Sequence, residues 1–320
     1  INSTGNYWLV WAEWERYLDS GDVERLRKVF PVLSAYHGWL REHRTWKDGT
    51  YFWSGLCSMD NTPRVDEQYS SRISHGFLTW VDAQFQIILS DKLLIKMAEV
   101  LGRKDGVAEL EAEIEFLTDY VNENMWDEKS GFYYDVKRDG SFNNCMSAAA
   151  FWALWADACP SDRKERLIEH LKNENEFNRF HRVPSLSATH PKYCARAGYW
   201  RGGVWAPVNY FILKGLTLCG EHELAAEIAE NTNRNVAKVY KDTGTIWEVY
   251  SPESNERADE TKPDFTGWSA MPAINFLIEY VLGLQREKDT LIWRVHQCDR
   301  HGVKKFPFGK TGTFDLICEK

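Results

Sequence analysis

The stretch VDAQFQIILSDKLLIKMAEVLG, residues 81–102, carries the pattern that decides the fold. Its apolar residues recur at helical spacing, and Gly102 stands where the last turn should end. The same periodicity accounts for most of the 320 residues and predicts an all-α protein, with helix ends good to about 3 residues. The nine predicted helices lie at residues 5–18, 22–43, 76–102, 105–125, 144–157, 161–173, 204–219, 221–241 and 267–284.

Short polar turns join most of these helices and therefore predict antiparallel helical hairpins. Asp22 supplies a capping side chain before one helix, and Ser161 with Asp162 stands before another. Glycines stop three of the helices, at Gly102, Gly220 and Gly283.

The last part of the chain differs from the rest. Its residues alternate as in strands, with Gly and Pro between the alternating runs. We therefore expect one helical domain over residues 1–285 and a small β appendage over residues 286–320.

A weak repeat follows three of the long helices. WKDGTYFWSG (46–55), WDEKSGFYYDV (126–136) and YKDTGTIWEVY (240–250) each turn on a glycine and then alternate aromatic and polar residues. If the helical hairpins surround an axis, these segments emerge on one rim. Asp60 and Glu248 would then face one another across that rim.

Composition excludes several classes of protein. The net charge of −8 and the lack of a basic stripe argue against a nucleic-acid partner, and no apolar run is long enough to suggest a membrane protein. The seven scattered cysteines form no CxxC pair, so we expect reduced thiols and a cytoplasmic protein. The histidines lack ligand spacing and no phosphate-binding glycine loop is present, so we expect neither a metal nor a cofactor, while a structural calcium ion on scattered carboxylates stays open.

Tryptophan is unusually frequent, with 15 residues in the chain. Most aromatic residues of a protein build its core. Several of these Trp residues, however, stand in polar, Gly-rich segments such as YWRGGVW (199–205), outside any helical apolar stripe. Aromatic faces beside carboxylates and arginine suit a sugar ring, so we expect a small carbohydrate as the partner. The sequence leaves the oligomeric state open.

Five motifs occur in a fixed order: MDNTPR (59–64), the stretch 81–102, YWRGGVW (199–205), WEVYSPES (247–254) and FTGWSAM (265–271). Together they resemble glycoside hydrolase family 63, including the mannosylglycerate and glucosylglycerate hydrolases, and more distantly the trehalases. The similarity runs from about residue 6 to residue 283.

This resemblance implies an (α/α)6 barrel and an inverting α-glycosidase that acts on a small α-glucoside or α-mannoside, either a glycerate glycoside or a short oligosaccharide. Asp60 would be the general acid, Glu248 the general base, and Arg201 a residue lining the sugar site. The nine helices are fewer than such a barrel contains, so we expect some N-terminal helices to be absent from this chain. Two local departures stand out: the extra residues Leu56-Cys57-Ser58, and Gly203 in place of the family's proline.

The chemistry fits these two carboxylates. An inverting glycosidase needs one protonated carboxyl and one ionised carboxylate, about 6.5–9.5 Å apart. Apolar neighbours (Trp53, Leu56 and Met59) should raise the pKa of Asp60 and keep it an acid. We expect the substrate to contact Trp53, Arg64, Gln84, Tyr199, Trp200, Arg201, Trp205, Tyr250 and Trp268.

Other interpretations stay open. Asp60-Asn61 before Pro63 is by itself a turn, and Asp82 is explained by its place in a first helical turn. Asp135 is the strongest rival base, ahead of three others, namely Glu67, Glu253 and Asp264. The whole chain could also be a sugar isomerase or epimerase that uses paired histidines, with His75 and His190 as candidates, or a carbohydrate-binding protein without catalysis.

Overall fold

The computed structural model describes residues 8–55, 58–258, 260–287, 290–308 and 312–319. Helices make up 48% of the structure, which confirms the prediction of a helix-rich chain. They are α1 (Trp8–Ser20), α2 (Val23–His43), α3 (Val81–Leu101), α4 (Val107–Asn124), α5 (Trp152–Ala156), α6 (Ser161–Lys172), α7 (Ala206–Leu218) and α8 (His222–Thr243), followed by a π-helical segment (Pro272–Val281). Two 3₁₀ turns lie at Ala148–Phe151 and Trp268–Ala270.

The described strands form four small antiparallel pairs. Two pairs lie among the helices: β1 (Leu78–Thr79) with β4 (Val136–Lys137), and β2 (Trp126–Asp127) with β3 (Phe132–Tyr133). Two lie in the tail: β5 (Leu284–Glu287) with β6 (Thr290–Trp293), and β7 (His301–Pro307) with β8 (Thr313–Cys318). The predicted β character of the tail is therefore confirmed, while the domain boundary at 285 stays a prediction.

Helix α3, which contains the opening stretch, lies in the centre of the hydrophobic core. Phe85, Ile87, Ile88 and Met97 on it are fully buried, and the helix packs against α1, α2, α4 and α5. Neighbours on several sides explain why its apolar residues spread beyond one stripe. The stretch that identifies the chain as helical thus also supplies the helix around which the others pack.

Consecutive helices pair as the turns predict. The pairs α1 with α2, α3 with α4, and α7 with α8 are each joined by a short turn and pack together. The Asp22 side chain caps α2 by accepting a hydrogen bond from the Arg25 N–H at 2.9 Å. Gly102 ends α3 in the left-handed conformation. The contacts between consecutive helices agree with the predicted pairing, and both of these helix ends are confirmed.

Several predicted helix boundaries are wrong, in part because the backbone there pairs with another segment instead of continuing the helix. Residues 78–79 pair with β4 instead of starting α3, and residue 147 bridges to Leu186, so the next helix begins later than predicted. Helix α6 begins at Ser161 itself and has no side-chain cap. The last helix is π-helical rather than α-helical. Residues 5–7 of the first predicted helix lie outside the described part of the chain.

The three repeat segments have different structures. The first closes a turn through the bridge between Thr45 and Tyr51, and the second forms the β2–β3 hairpin. In the third, α8 continues to Thr243, and Tyr250 pairs with Val204 of another loop rather than within its own segment. This pairing brings residues 247–250 beside the 199–205 loop.

Within the described ranges, each helix is too short or too polar to cross a lipid bilayer. Six of the seven cysteines are described, and all six carry free thiols. Cys57 lies outside the described residues.

Candidate active site

Asp60 lies in a tight turn that precedes β1. Its side chain is 17% exposed, and the Arg72 guanidinium forms an ion pair with it at 3.3 Å. Burial raises the pKa of Asp60, and the charge and hydrogen bond of Arg72 act in the opposite direction without cancelling the rise. Trp53 and Met59 beside this turn are buried. Leu56 and Cys57, two of the three extra residues of the loop, lie outside the described part.

Glu248 lies in the loop after α8 and is 3% exposed. Its backbone is fixed at both ends, because its N–H donates to the Lys262 carbonyl at 2.9 Å and its carbonyl accepts from the Ser269 hydroxyl at 3.1 Å. Oε1 accepts a hydrogen bond from the Tyr199 phenol at 3.5 Å. Oε2 is buried and accepts no hydrogen bond from the described residues. A buried carboxylate oxygen without a donor is costly unless a bound molecule supplies one.

Tyr199 lies in the neighbourhood of both carboxylates. Burial, followed by the negative charges of Glu248 and Asp60, raises the pKa of Tyr199 to about 12. The phenol lies 3.5 Å from Glu248 Oε1, and Asn61, next to Asp60 in the chain, binds the backbone on both sides of Tyr199. The fold thus brings into one neighbourhood two acidic side chains that are far apart in the sequence.

An aromatic cluster flanks this neighbourhood. The rings of Trp200 and Trp205 stack with centroids 4.0 Å apart, and Tyr199 meets Trp205 edge-on at 4.8 Å. Trp268 lies 6.3 Å from Trp205 and is 39% exposed. Trp205 and Trp53 are 1% exposed, so the surface open to a ligand belongs to Tyr199, Trp200 and Trp268.

Gly203 allows the aromatic loop to fold tightly. A Cβ at this position would lie 2.2 Å from the Tyr199 carbonyl oxygen and 2.5 Å from Cγ2 of Val249. No larger residue fits without moving the loop that carries Tyr199. The observed path of this loop therefore depends on glycine at position 203.

Arg64 is held by the protein itself. Its five N–H donors bind Asp82, Asp135 and the Ser58 hydroxyl, at distances from 2.6 to 3.2 Å, and its guanidinium covers the Trp80 ring at 4.2 Å. A guanidinium has no further N–H to offer. The sequence expectation that Arg64 binds sugar hydroxyls is corrected on this ground.

Gln84 and Tyr250 are occupied in the same way. The Gln84 amide accepts from the Tyr51 N–H and donates to the carbonyls of Tyr51 and Trp80. The Tyr250 hydroxyl accepts from the Trp247 N–H. Both side chains are buried, so their bonds are with the protein rather than with an open pocket.

Arg201 is the candidate cation that keeps donors for a ligand. It is partly exposed, and among the described residues its side chain makes one hydrogen bond, from Nε to the Gly198 carbonyl at 3.4 Å. Its loop position beside Tyr199 leaves the rest of the guanidinium available.

The rival bases all have partners elsewhere. Asp135 is buried against Arg64 and also accepts from the Val81 N–H. The others pair as follows: Glu67 with Lys192, Glu253 with Arg179 and Tyr193, and Asp264 with Thr245. His75 and His190 each accept, at Nδ1, a backbone N–H two residues further along.

Sequence reasoning missed a buried polar cluster in the core. His37 Nε2 lies 2.9 Å from Asp91 Oδ1 and 2.9 Å from Glu113 Oε2, and Arg41 and Tyr51 also bind Glu113. In the described residues these three side chains have the spacing of metal ligands. Instead of a metal ion, the cationic side chains of His37 and Arg41 can balance the negative charges of Asp91 and Glu113. No spacing rule predicts this cluster, because its members come from three different helices.

The comparisons with known proteins agree on a family. The model of the mannosylglycerate hydrolase MGH1-like glycoside hydrolase domain matches residues 3–269. An uncharacterized protein from Borreliella burgdorferi is 28% identical over 97% of this chain and 66% of its own length. A probable mannosyl-oligosaccharide glucosidase from Schizosaccharomyces pombe is 26% identical over 80% of this chain and 35% of its own length.

A solved structure is similar in fold. The GH63 mannosylglycerate hydrolase from Thermus thermophilus, in complex with Tris, superposes with a TM-score of 0.69 at 22% identity, over 85% of this chain and 76% of that one. At this identity the likeness concerns the fold alone. The chain spans 66% and 35% of the lengths of the two curated relatives.

Proposed function

We propose a hydrolytic function from one premise: this chain belongs to the mannosylglycerate hydrolase MGH1-like glycoside hydrolase family. The proposed reaction is the inverting hydrolysis of a small α-glucoside or α-mannoside, either a glycerate glycoside or a short oligosaccharide. The helical hairpins would form part of an (α/α)6 barrel whose rim carries the site.

The observation that carries the proposal is the shared neighbourhood of Asp60 and Glu248. Glu248 accepts a hydrogen bond from Tyr199, and Asn61, next to Asp60, binds the backbone on both sides of Tyr199, yet the surroundings of the two carboxylates differ. Burial raises the pKa of Asp60, which suits a general acid. Oε2 of Glu248 has no donor among the described residues, so it is ready to accept a proton from water.

In the proposed mechanism, Asp60 gives its proton to the glycosidic oxygen as the bond to the anomeric carbon breaks. A water molecule, deprotonated by Glu248, attacks that carbon from the opposite face, so an α-glycoside releases the β-anomer. The leaving group departs as a neutral alcohol, and Glu248 ends protonated. A general acid and a general base each contribute about 10²–10⁴-fold to such a reaction.

The exposed aromatic residues support a sugar site beside these carboxylates. Tyr199, Trp200 and Trp268 offer ring faces, and Arg201 offers donors for hydroxyl groups. Trp205 would support the Trp200 ring by stacking on it. Trp53 would pack behind the loop that carries Asp60. Arg64 lies outside the proposed sugar contacts, because its donors are all bound to protein groups.

The test combines two isosteric variants with a substrate panel. Asp60→Asn and Glu248→Gln should each lower kcat at least ~10²-fold on whichever α-glucoside or α-mannoside the wild type hydrolyses, with little change in thermal unfolding. Proton NMR during the first turnovers should detect the β-anomer.

Glu169→Gln, an exposed carboxylate paired with Lys172, is the matched control and should keep full activity. Full activity of either site variant would remove that residue from the mechanism. Release of the α-anomer would contradict inversion.

A further inference from the structure

The proposed mechanism makes no use of Asn61, although its side chain joins the two halves of the site. Its Oδ1 accepts from the Trp200 N–H at 2.8 Å, and its Nδ2 donates to the Gly198 carbonyl at 3.1 Å. These two groups flank Tyr199 in the chain. One amide therefore holds the backbone on both sides of that residue.

The backbone that Asn61 holds is strained. Ala197 and Tyr199 have φ values of 75° and 62°, in the left-handed region that non-glycine residues rarely adopt. Such conformations cost about 1–3 kcal/mol and persist only where surrounding contacts impose them. Besides the Asn61 amide, the Trp205 indole N–H fixes the Tyr199 carbonyl at 3.2 Å. The strain is therefore maintained by specific contacts around this one residue.

In this conformation the Tyr199 phenol lies 3.5 Å from Glu248 Oε1. That phenol is the hydrogen-bond donor to Oε1, while Oε2 stays without a donor in the described part of the chain. Because Tyr199 has a raised pKa of about 12, with burial as the largest cause, the phenol stays protonated and able to donate at neutral pH. An anchored Oε1 leaves Oε2 as the oxygen that can meet a water molecule.

We infer that Asn61 is a positioning residue that sets the placement of the general base relative to the general acid. It follows Asp60 directly in the chain, and through Tyr199 it fixes the orientation of Glu248. This inference rests on the proposed function and adds a residue that acts through Tyr199 rather than on the substrate. A rigid link is needed because misplacement of a reacting group by 1 Å can cost about 10²-fold in rate.

A double-mutant cycle tests the link. Asn61→Ala and Tyr199→Phe should each lower kcat, the former by ~10²-fold, with KM changed less than about threefold. Since both act through the same contact, the double variant should be no slower than the slower single variant by more than about threefold. Losses that multiply, or an Asn61→Ala variant within threefold of the wild type, would overturn the inference.

Asn209 provides a control, because its amide also binds one backbone N–H and one backbone carbonyl, here on the two sides of a single peptide bond. It accepts from the Val183 N–H at 3.0 Å and donates to the Arg182 carbonyl at 2.9 Å. Asn209→Ala should lower the melting temperature and leave kcat within about threefold of the wild type. If it reduced kcat as much as Asn61→Ala, the effect would be loss of stability alone and the inference would fail.

Hydrogen exchange separates this inference from the proposed function. The Trp200 amide should exchange at least about 10-fold faster in Asn61→Ala than in the wild type, and Asn209→Ala should leave it unchanged. If the wild type hydrolysed no glycoside, the proposed function would fall while exchange still reported whether Asn61 holds the loop. Unchanged Trp200 exchange in folded Asn61→Ala would refute the clamp itself. If that variant does not fold, Tyr199→Phe, which keeps the backbone clamp, replaces it in the test. A lowered kcat of Tyr199→Phe would then support the inference, and an unchanged kcat would overturn it.

Discussion

Asp60 shows how opposing influences act on one residue. Burial favours its protonated form, which a general acid needs, while Arg72 at 3.3 Å favours the ionised form. Arg72 itself is 63% exposed, so water screens much of its effect. The pKa of Asp60 therefore stays raised. The opposing positive charge of Arg72 can be removed by substitution.

Replacing Arg72 by Gln should raise the pKa of Asp60 further, because burial would then act without an opposing charge. Activity requires the protonated acid, so the basic limb of the kcat/KM profile should move to higher pH. Thermal stability should hardly change, since exposed ion pairs contribute about 0–1 kcal/mol. The measurement is a pH profile of kcat/KM on the substrate that the wild type hydrolyses.

Arg27→Gln, which removes another exposed arginine paired with a carboxylate, serves as the control and should leave the profile in place. A basic limb that stayed fixed in Arg72→Gln would mean that Asp60 does not set it.

At the scale of elements, the junction between the π-helical segment and β5 depends on backbone contact. Gly283 lies between them with φ 76°, and its carbonyl accepts from the Arg294 N–H at 2.9 Å. The Trp293 indole also donates to the Leu282 carbonyl at 2.8 Å. The last helix and the strands that follow are thus joined by close main-chain approach at one glycine.

Gly283→Ala should therefore destabilise the protein by roughly 2–5 kcal/mol, from left-handed strain together with overpacking. A Cβ at this position would lie 1.7 Å from the Arg294 carbonyl oxygen. Gly140→Ala is the matched control, because Gly140 has φ 85° but no atom within 4 Å of its Cβ position. That control should cost about 1–2 kcal/mol. Urea unfolding of both variants measures the difference, and equal losses would show that the contact with Arg294 relaxes easily.

At the scale of the whole molecule, buried ion pairs join segments that are distant in sequence. Arg64 links the acid loop to α3 and to the segment after β3 through Asp82 and Asp135. His37 links α2 to α3 and α4 through Asp91 and Glu113. Removing one partner of such a group leaves a buried charge uncompensated, which is strongly destabilising.

The His37 cluster predicts how stability depends on pH. Burial alone would lower the pKa of His37, but its hydrogen bonds and charge interactions with Asp91 and Glu113 outweigh burial and raise it to about 9. A raised histidine pKa gives stability that is fully present below pH 6.5 and is lost as pH rises through 9. Arg41 and the Tyr51 phenol, the other groups facing the cluster, bind Glu113 over this range.

The free energy of unfolding of the wild type should therefore fall by as much as ~3 kcal/mol between pH 7 and 9. His37→Gln should be less stable at pH 7 and should lose this decline. Chemical denaturation at several pH values measures both. Exposed His43 on the same helix is the control, and His43→Gln should keep the wild-type slope. A decline that survived in His37→Gln would assign it to other groups.

Local rules predicted the elements of this chain well. The apolar period of residues 81–102, the Asp22 cap and the glycine stop at Gly102 each depend on neighbours a few residues away, which the sequence displays. The five ordered motifs likewise predicted the family. Predictions failed where the backbone paired with a segment far away in the sequence. Residues 78–79 paired with β4, and Tyr250 paired with Val204.

The sequence by itself therefore determined the helical class, the hairpin order and the acidic residues worth testing, because these follow from short-range periodicity and motif order. Only the tertiary structure decided what each polar side chain does. Arg64 is occupied by two carboxylates, and Asn61 holds the backbone around Tyr199. The physical reason is that a buried polar group takes its role from whichever partners satisfy it, and those partners lie far away in the chain.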